Sequence, residues 1–565
     1  MYRIWLLTLA LLGGTLLLSF ESVLARILSD QVSEGLRNRI TLSTQPQEIV
    51  NGTELLFRPA MLSGFHKDRV FQPAWSTEEG PRAQATSLVK AIHGAILEGL
   101  EPEDYHLATI ETLLAELRHN IVTNRSLESD KLADLDLLLT DAFLLYGSHL
   151  SAGRVNSETI RSEWFIKNRE LDLVEILQSA LDEDQIEEAL ETLPPQHAGY
   201  ARLKRALLQY RAIMRRGGWK ILPSGQMLRG NRGVRVAALR SRLIVSGDLD
   251  ESTDDHSLFD QVLEQGVRRF QKRHGLDIDG IVGPATLAAL NVPVEEHIRQ
   301  IKVNMERWRM LPHDFGRRYI LVNIPNFELG VVEDDQILMT MRVVVGRTSR
   351  RTPVFSGTMT YMELNPYWHI PPTIAREDIL ENIWKDPEYL LKTNIRVFKN
   401  WKAQAPEINP DSIDWSQITA KSFSFKLRQE PGPSNALGRI KFMFPNKFDV
   451  YLHDTPARAL FKKTKRSSSS GCIRVEKPIE LAEYLLRDDP KWTHEEILAA
   501  INSNKRQVVL IREPIAVHVL YRTAWVDEDD TIHFRDDIYG RDKMLDEALN
   551  ERPPSPLTKY SSFAQ

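Results

Sequence analysis

The spacing of apolar residues divides the chain into a helical part, a compact middle part and a strand-rich part. Over 26–222 the apolar residues recur at intervals of three and four, which is typical of helices with one buried face. The segment KLADLDLLLTDAFLLYGSHL, residues 131–150, shows this spacing most clearly. The histidines of this part, His106, His149 and His197, have no catalytic spacing. We therefore predict a mostly α-helical scaffold domain in which these histidines are structural.

Residues 223–292 read as a compact unit in which turn signals separate three short helical patterns. Gly275 is a suitable left-handed terminator for the second helix, because glycine adopts that conformation without steric cost. Asp279 and Gly280 then predict a turn, and Pro284 suits the first turn of the third helix. The sequence therefore predicts a small three-helix module.

From Arg318 onward the apolar residues alternate with polar ones, which is the period of strands. This pattern predicts a β-rich domain over 300–516. Between 371 and 438 the alternation gives way to a helical pattern and a Gly- and Pro-rich loop. Insertions of this length are usually functional lids, and we predict an ordered helical flap. Residues 517–565 are predicted to form a C-terminal β-hairpin and tail.

The composition restricts the partners that this chain can have. It holds 72 basic and 77 acidic residues in 565, a net charge of −5, which gives no reason to expect nucleic acid as a partner. Residues 1–25 carry one arginine, an apolar run and small residues that end at Ala25. This pattern predicts a cleaved signal peptide, or an uncleaved anchor that would hold the protein at a membrane. With either a signal peptide or an anchor, the rest of the protein would be exported.

Export makes the single cysteine, Cys472, informative. Exported proteins in an oxidising compartment use cysteines in pairs, so an unpaired one is either buried and inert or a free reactive thiol. Taken as strands, VYLHD places Tyr451 and His453 on one face, and CIRV places Cys472 and Arg474 on one face. If the two segments meet, four functional side chains line one cleft.

A thiol and an imidazole in one cleft suit nucleophilic catalysis. His453 would hold Cys472 as a thiolate or take its proton as a base. Backbone N–H groups at Gly471 and Cys472 would bind a developing oxyanion. Arg474 would pair with a substrate carboxylate or brace the turn. The two serines before the glycine would hydrogen-bond substrate or cap the loop; they are Ser469 and Ser470.

Two motifs carry resemblances to known families. The string V-x-x-F-Q-x-x-x-G-L-x-x-D-G-I-V-G-P-x-T-L, residues 267–287, resembles the three-helix peptidoglycan-binding module. The string H-x(15)-S-S-G-C-I-R, residues 453–474, resembles the signature of L,D-transpeptidases with a YkuD-type catalytic domain. Many members of that family carry histidine where Ser470 stands here. The order of scaffold, module and catalytic domain with an inserted flap resembles the large periplasmic, YcbB-like L,D-transpeptidases of Gram-negative bacteria.

The resemblance implies a multidomain α+β protein whose catalytic domain is β-sandwich-like with mixed sheets. It implies that the main-chain carbonyl of Asp454 orients His453, that Tyr451 lines the donor site and that Trp368 lies near it. It implies acyl transfer without metal or cofactor: Cys472 attacks a tetrapeptide stem, D-Ala leaves, and a diaminopimelate amine of a second stem resolves the thioester. It also implies acylation by carbapenem-type β-lactams, glycan binding through 223–292 and a periplasmic location.

Other readings remain open from the sequence. Water as acceptor would make the same site an L,D-carboxypeptidase, and other amines would give D-amino-acid exchange or the anchoring of proteins to the cell wall. Outside enzymes, the chain could be a non-catalytic cell-wall-binding protein with a degenerate site. A papain-like protease is disfavoured, because its nucleophile begins a helix and its histidine follows far downstream, whereas His453 precedes Cys472 on strands.

Overall fold

The computed structural model describes most of the chain after the expected export segment. Residues 1–25, the predicted signal peptide or anchor, lie outside the described residues. Within the described ranges, no helix is long and apolar enough to cross a membrane. The described residues are 27–41, 55–155, 164–165 (backbone only), 171–250, 255–312 and 314–551.

The predicted scaffold is a helical domain with one small hairpin. Its helices are α1 27–41, α2 Pro59–Asp68, α3 Ala83–His93, α4 Leu107–Val122, α5 Ser129–Ala152, α6 Leu173–Asp182, α7 Ile186–Glu191 and α8 Ala198–Arg215. Two 3-10 turns, Gly94–Glu98 and Pro102–Tyr105, and the strands β1 Ser76–Thr77 and β2 Gly80–Pro81 complete it.

Helix α5 is the centre of the scaffold, because every residue from 132 to 151 is buried. A helix buried on all sides needs partners for its polar groups. Asp141 accepts the backbone N–H groups of residues 57 and 58 and lies 2.9 Å from His106 Nε2. His149 Nδ1 lies 3.1 Å from the Tyr105 hydroxyl. These two histidines occupy the scaffold core, as the sequence predicted.

The predicted three-helix module is present as α9 Val234–Val245, α10 Gln261–Arg273 and α11 Pro284–Leu290. Gly275 and Gly280 have φ of +66° and +74°, which side-chain-bearing residues rarely adopt. The Gln271 side chain donates to Asp279 Oδ1 at 2.8 Å and so fixes the predicted turn. A long helix, α12 Val294–Arg309, then connects the module to the β-rich domain.

The β-rich domain contains the strands that the alternation predicted and several short ones. In chain order they are β4 Arg318–Asn323, β5 Glu328–Glu333, β6 Gln336–Gly346, β7 Val354–Leu364, β8 Trp368–Ile370, β9 Ile395–Phe398, β10 Glu407–Ile408, β11 Lys426–Gln429, β12 Ile440–Met443, β13 Leu452–His453, β14 Ser467–Ser469, β15 Ile473–Val475, β16 Gln507–Leu520, β17 Ala524–Val526 and β18 Ile532–Phe534. A further short strand, β3 Trp164–Phe165, joins β7 in parallel from outside the domain.

The main sheet closes on itself. Its order is β12-β13-β15-β6-β5-β4-β16-β7, and β12 also pairs with β7. Parallel pairs, β13 with β15 and β16 with β4, occur beside antiparallel ones, so the sheet is mixed. Alternate residues such as Ile320, Val343 and Ile473 point into the enclosed core and are fully buried. The opposite residues of the same strands face outward.

The insertion contains a β-sheet as well as the helices that the pattern predicted. Helix α13 Pro372–Ile374 continues through a π-turn, Ala375–Ile379, into α14 Leu380–Lys385, and α15 Tyr389–Lys392 follows. Strands β8 to β11 add a separate four-stranded sheet in the order β10-β9-β11-β8. The insertion has its own apolar core, including Leu380, Val397 and Leu427. It is therefore an ordered subdomain, and its sheet begins at β8, before residue 371.

The C-terminal part is continuous with the sheet. Strand β16 runs through the expected boundary at 516, because Val517 and Val519 continue into the core while pairing with β4 and β7. The predicted hairpin follows as β17 and β18. Helices α16 Pro478–Leu486, α17 His494–Asn502 and α18 Arg541–Leu549 complete the domain. The Tyr539 hydroxyl donates to the Gly346 carbonyl at 2.5 Å, so the tail braces the end of β6.

A buried ion pair joins the scaffold to α12. Glu306 accepts from Arg309 Nη1 at 2.8 Å and from the Val155 backbone N–H at 2.8 Å. Both side chains are almost fully buried, at 0% and 1% exposure. Arg309 also donates to the Tyr200 hydroxyl at 3.1 Å. Removing one member would leave the other as an uncompensated buried charge.

We therefore expect Glu306→Ala to lower the free energy of unfolding by about 3–5 kcal/mol. Urea unfolding followed by circular dichroism measures this change. Glu295→Ala is the matched control, because Glu295 is exposed on the same helix. Equal stability of the two variants would contradict the role assigned to the buried pair.

Candidate active site

Strand pairing brings the two predicted segments together. The parallel ladder between β13 and β15 pairs Leu452 with Ile473 and His453 with Arg474. The Ile473 backbone N–H donates to the Tyr451 carbonyl at 3.1 Å. Ile473 is buried in the core, whereas Cys472 and Arg474 on either side of it are only partly covered. The shared face that the alternation predicted is therefore present.

The loop before Cys472 is held by its own small residues. Gly471 has φ of +118°, so only glycine fits this backbone without strain. The Thr352 hydroxyl donates to the Gly471 carbonyl at 2.8 Å. Ser469 is 3% exposed, and its hydroxyl donates to the Cys472 carbonyl at 2.5 Å while accepting from the Gly471 N–H at 3.1 Å. Ser469 thus caps the loop, which was one of its two expected roles.

The hydrogen bonds of this loop determine which of the two expected oxyanion donors, the N–H groups of Gly471 and Cys472, is available. The Gly471 N–H is already donated to Ser469, whereas the Cys472 N–H has no hydrogen-bond acceptor among the residues that the structure describes. An N–H at a glycine turn beside a thiol is suitably placed for a developing negative charge. Of the two backbone groups, Cys472 N–H is the one available without rearrangement of the loop.

His453 is oriented as the resemblance implied. Its Nδ1 lies 2.6 Å from the Asp454 carbonyl, which fixes the ring and makes Nδ1 the protonated nitrogen. The imidazole is 4% exposed. Burial and the nearby positive charge of Arg474 lower the pKa of His453 to about 3. The ring is therefore neutral near neutral pH, and because Nδ1 carries the proton, Nε2 is the nitrogen that can accept one.

The thiol is also neutral at rest. Burial raises the pKa of Cys472 above its ordinary value, although contacts with Tyr451 and the charge of Lys441 act in the other direction. The sulfur lies 3.8 Å from the Asp449 carbonyl, and no hydrogen bond joins it to His453 within the described part of the chain. The resting site is therefore a thiol beside a neutral imidazole, which favours the general-base role of His453 over a preformed thiolate.

Lys441 belongs to the site although the sequence did not single it out. It pairs with His453 across β12 and β13, and its Nζ lies 4.1 Å from the centroid of the Tyr451 ring. The Tyr451 ring in turn packs edge-on against His453, with 5.8 Å between centroids. Alternation along IKFM would place Lys441 outward, but only the strand order shows that this outward face is the site.

Arg474 is the cation of the site that lacks a protein partner. It makes no ion pair or hydrogen bond among the described residues, and its Nε is buried without an acceptor. Burial lowers the pKa of its guanidinium. A half-buried guanidinium without a counter-ion suits a carboxylate ligand. The alternative role, bracing the turn, would require hydrogen bonds to the turn that the described residues do not show.

Ser470 connects the loop to the insertion. Arg350 donates to the Ser470 hydroxyl at 2.9 Å and also binds Asp378 and Glu377 of the insertion's first helix. Arg347 lies 3.1 Å from Asp378. The residue before Gly471 is thus tied to the insertion through Arg350, while Arg347 adds a second contact to Asp378. Ser470 is exposed, and contact with substrate is a second role open to it.

Trp368 lies in the sheet of the insertion. It is paired with Gln429 and packs against the insertion's apolar core. No ring contact joins it to Tyr451 within the described part of the chain, so its place near the donor site stays a prediction. Groups of ligands that could hold a metal ion are also absent from the described residues.

Comparison with known families assigns the parts of the chain. Residues 60–207 match a scaffold domain, residues 232–290 a peptidoglycan-binding domain, and residues 317–495 the YkuD L,D-transpeptidase catalytic domain. These matches agree with the three parts that the apolar pattern separated.

Individual relatives cover parts of the chain. A Haemophilus influenzae protein named "Putative L,D-transpeptidase" is 38% identical over 252 residues, which are 44% of this chain and 50% of that protein. The amidase CwlM of Mycobacterium tuberculosis is 43% identical over 75 residues, 12% of this chain and 18% of its own. The chain thus spans about half the length, or less, of these curated relatives.

Two of the solved structures that match parts of this chain are named L,D-transpeptidases. One from Xylanimonas cellulosilytica is 16% identical, covering 53% of this chain and 99% of its own with a TM-score of 0.18. One from Stackebrandtia nassauensis is 12% identical, covering 52% and 94% with a TM-score of 0.21.

The neutral resting site predicts how thiol reactivity depends on pH. Because the pKa of Cys472 is raised, its thiolate fraction should rise about tenfold per unit between pH 6 and 8. Because His453 stays neutral there, no inflection should occur near pH 6.5. Alkylation of this single cysteine by iodoacetamide, followed by intact mass and referenced to glutathione, measures the rate. A plateau, or a step near pH 6.5, would indicate a preformed ion pair instead.

Proposed function

We propose that this chain, which carries an L,D-transpeptidase catalytic domain beside a peptidoglycan-binding domain, is a cysteine L,D-transpeptidase that acts on peptidoglycan stem peptides. The observation that carries the proposal is the outward face shared by a thiol, a buried neutral imidazole and an unpaired guanidinium. These groups are Cys472, His453 and Arg474. They supply a nucleophile, a base and a carboxylate-binding group in one place.

In the first step, Cys472 sulfur attacks the carbonyl carbon between diaminopimelate and the terminal D-Ala of a tetrapeptide stem. His453 Nε2 takes the thiol proton as the C–S bond forms and returns it to the D-Ala nitrogen as the C–N bond breaks. The Cys472 N–H, helped by Gly471 after loop adjustment, stabilises the oxyanion. Tyr451, which packs against the His453 ring, lines the donor side.

Substrate binding would also activate the base. Arg474 is the nearby charge that most strongly lowers the pKa of His453 in the free protein. A substrate carboxylate paired with Arg474 would cancel much of that positive charge, and the pKa of His453 would rise toward a value at which it accepts a proton readily. Proton transfer from Cys472 would then follow binding rather than precede it.

In the second step, the side-chain amine of diaminopimelate on another stem attacks the thioester. A C–N bond forms, the C–S bond breaks and the amine proton passes through His453 to the sulfur. The product is a direct link between two diaminopimelates. The insertion, tied to Ser470 by Arg350, would limit the access of water and so favour the amine over hydrolysis.

The proposed function also implies a cellular location and further ligands. Cell-wall substrates place the protein outside the cytoplasm, and we assign it to the periplasm. The module over 223–292 would hold glycan strands, and carbapenem-type β-lactams would acylate Cys472 because they present a strained carbonyl to the same nucleophile.

The nucleophile assignment is tested by Cys472→Ala. Purified variant incubated with tetrapeptide muropeptides should form dimers at a rate reduced by roughly four orders of magnitude, because the covalent intermediate cannot form. Chromatography and mass spectrometry of the products measure this. Ser468→Ala is the matched control, since Ser468 is exposed on β14, four residues before Cys472. Dimer formation by the cysteine variant at the normal rate would refute the proposal.

The role of the insertion is tested at Asp378, which binds both Arg347 and Arg350. Asp378→Ala should raise the ratio of hydrolysed tripeptide to dimer by roughly two- to fivefold, the effect of losing partly exposed ion pairs of about 0.5–1 kcal/mol.

The control is Glu381→Ala, which removes an exposed carboxylate from the same helix region without touching the two arginines. An unchanged ratio in both variants would show that these ion pairs do not control the access of water.

A further inference from the structure

A second cleft lies between the scaffold, the outer face of the sheet and the C-terminal hairpin. Its volume is about 770 Å³, in the range of peptide and small-ligand sites. One wall is the start of α8, including His197, and the other is the hairpin with Trp525. Trp308, at the end of α12, and the outward residues of β4 and β5 form its floor.

The floor of the cleft contains a glycine, Gly330, which leaves space for a ligand. Gly330 on β5 pairs with Leu321 on β4 and with Thr340 on β6, and these three positions face the cleft. A Cβ built on Gly330 would meet only the Met339 carbonyl, at 4.0 Å. The space above Gly330 is therefore open, and a larger residue there would fill the cleft without displacing protein atoms.

Two residues that line the cleft, Trp308 and Arg522, carry buried hydrogen-bond donors that lack acceptors among the described residues. Trp308 is 5% exposed, and its Nε1 is buried without a partner among the described residues. Arg522 lies over the same indole, with its Cζ 5.2 Å from the ring centroid, and its Nε is likewise buried without a partner. The described residues place no carboxylate in an ion pair with Arg522. Unpaired donors in a buried position are costly, so they indicate an acceptor-rich ligand.

The rim of the cleft is acidic, in contrast to the hydrogen-bond donors of Arg522 and Trp308. Asp335, Asp527 and Glu528 line it, and Asp335 and Glu528 are exposed. A ligand that places a carboxylate on Arg522 would therefore benefit from a positive group at its other end. The Trp525 ring in the hairpin wall is held by stacking on His533, with 4.9 Å between centroids, and by Arg535, whose Cζ lies 4.8 Å from the ring centroid.

The walls are held together before any ligand arrives. Arg202 of α8 donates to the Val526 carbonyl at 3.2 Å, and Arg205 lies 2.8 Å from Asp530 at the hairpin turn. These contacts join the scaffold wall to the hairpin wall. A cleft fixed in this way loses little conformational freedom on binding, which favours affinity.

The cleft and the thiol site lie on the same outer face of the sheet. Thr340 in the cleft and Val344, which pairs with Arg474, are alternate outward residues of β6. Four residues of strand separate them, about 13 Å at 3.3 Å per residue. The cleft is therefore separate from the reacting groups but within the span of a short peptide.

We propose that this cleft is an accessory, non-catalytic site for a peptide that carries both a free carboxylate and a free amine, with Arg522 and Trp308 Nε1 binding the carboxylate and the acidic rim receiving the amine. Stem peptides of peptidoglycan have this chemistry, so the identity of the ligand rests on the proposed function. The site would hold a second stem near the sheet that carries the thiol.

The test is calorimetric titration of the full-length Cys472→Ala protein with free tetrapeptide stem, which turnover cannot consume. Two binding events are expected. Arg522→Gln on this background should weaken one event about tenfold or more, the effect of losing a charge-assisted hydrogen bond. Gly330→Leu should remove the same event by filling the floor. Arg317→Gln is the matched control, because Arg317 is exposed beside the sheet but outside the cleft.

The outcomes separate this proposal from the proposed function. A single event that Arg522→Gln and Gly330→Leu leave unchanged would overturn the accessory site, even if Arg474→Gln abolishes that event. Binding that depends on Arg522 but not on Arg474 would support the accessory site and count against the catalytic assignment. Equal binding of a tetrapeptide with amidated carboxyl groups, or Arg522-dependent binding of peptide-free glycan alone, would refute the proposed ligand.

Discussion

The parallel pairing of β13 with β15 is the interaction on which the rest of the site depends. The register pairs Leu452 with Ile473 and His453 with Arg474, and the Ile473 N–H also donates to the Tyr451 carbonyl. A slip of one residue would turn Cys472 and Arg474 toward the core and Ile473 toward solvent. The burial of Ile473 and Leu452 opposes that slip, because both would lose their apolar surroundings. The core therefore holds the reactive groups in place.

Residues from distant parts of the chain hold the other groups of the site in position. Thr352 donates to the Gly471 carbonyl and Tyr539 donates to the Gly346 carbonyl. The Asp454 carbonyl orients the imidazole of His453. Burial then makes both the thiol and the imidazole neutral, which leaves Arg474 as an uncompensated charge beside them. In the proposed function this charge has two effects: it attracts the substrate carboxylate, and it holds the base inactive until that carboxylate arrives. Binding and activation are thereby linked.

Much of this arrangement could be predicted from the sequence, because it depends on local periodicity. Strand alternation placed Tyr451, His453, Cys472 and Arg474 outward, and turn residues such as Gly275 marked the helical module. Contacts that depend on strand order could not be predicted in this way. Lys441 enters the site only because β12 lies beside β13, and Arg350 reaches Ser470 across 120 residues. The sheet of the insertion and the continuity of β16 likewise require pairings between segments far apart in sequence.

The central claim is that a stem peptide becomes bound to Cys472 as a thioester after loss of D-Ala. The most direct measurement is the intact mass of acid-quenched protein after brief exposure to tetrapeptide stem, with the modified residue located by peptide mapping. The expected adduct equals the tetrapeptide less D-Ala and is carried by Cys472. Release of D-Ala with no adduct on Cys472 at any time, or with an adduct on another residue, would contradict the central claim.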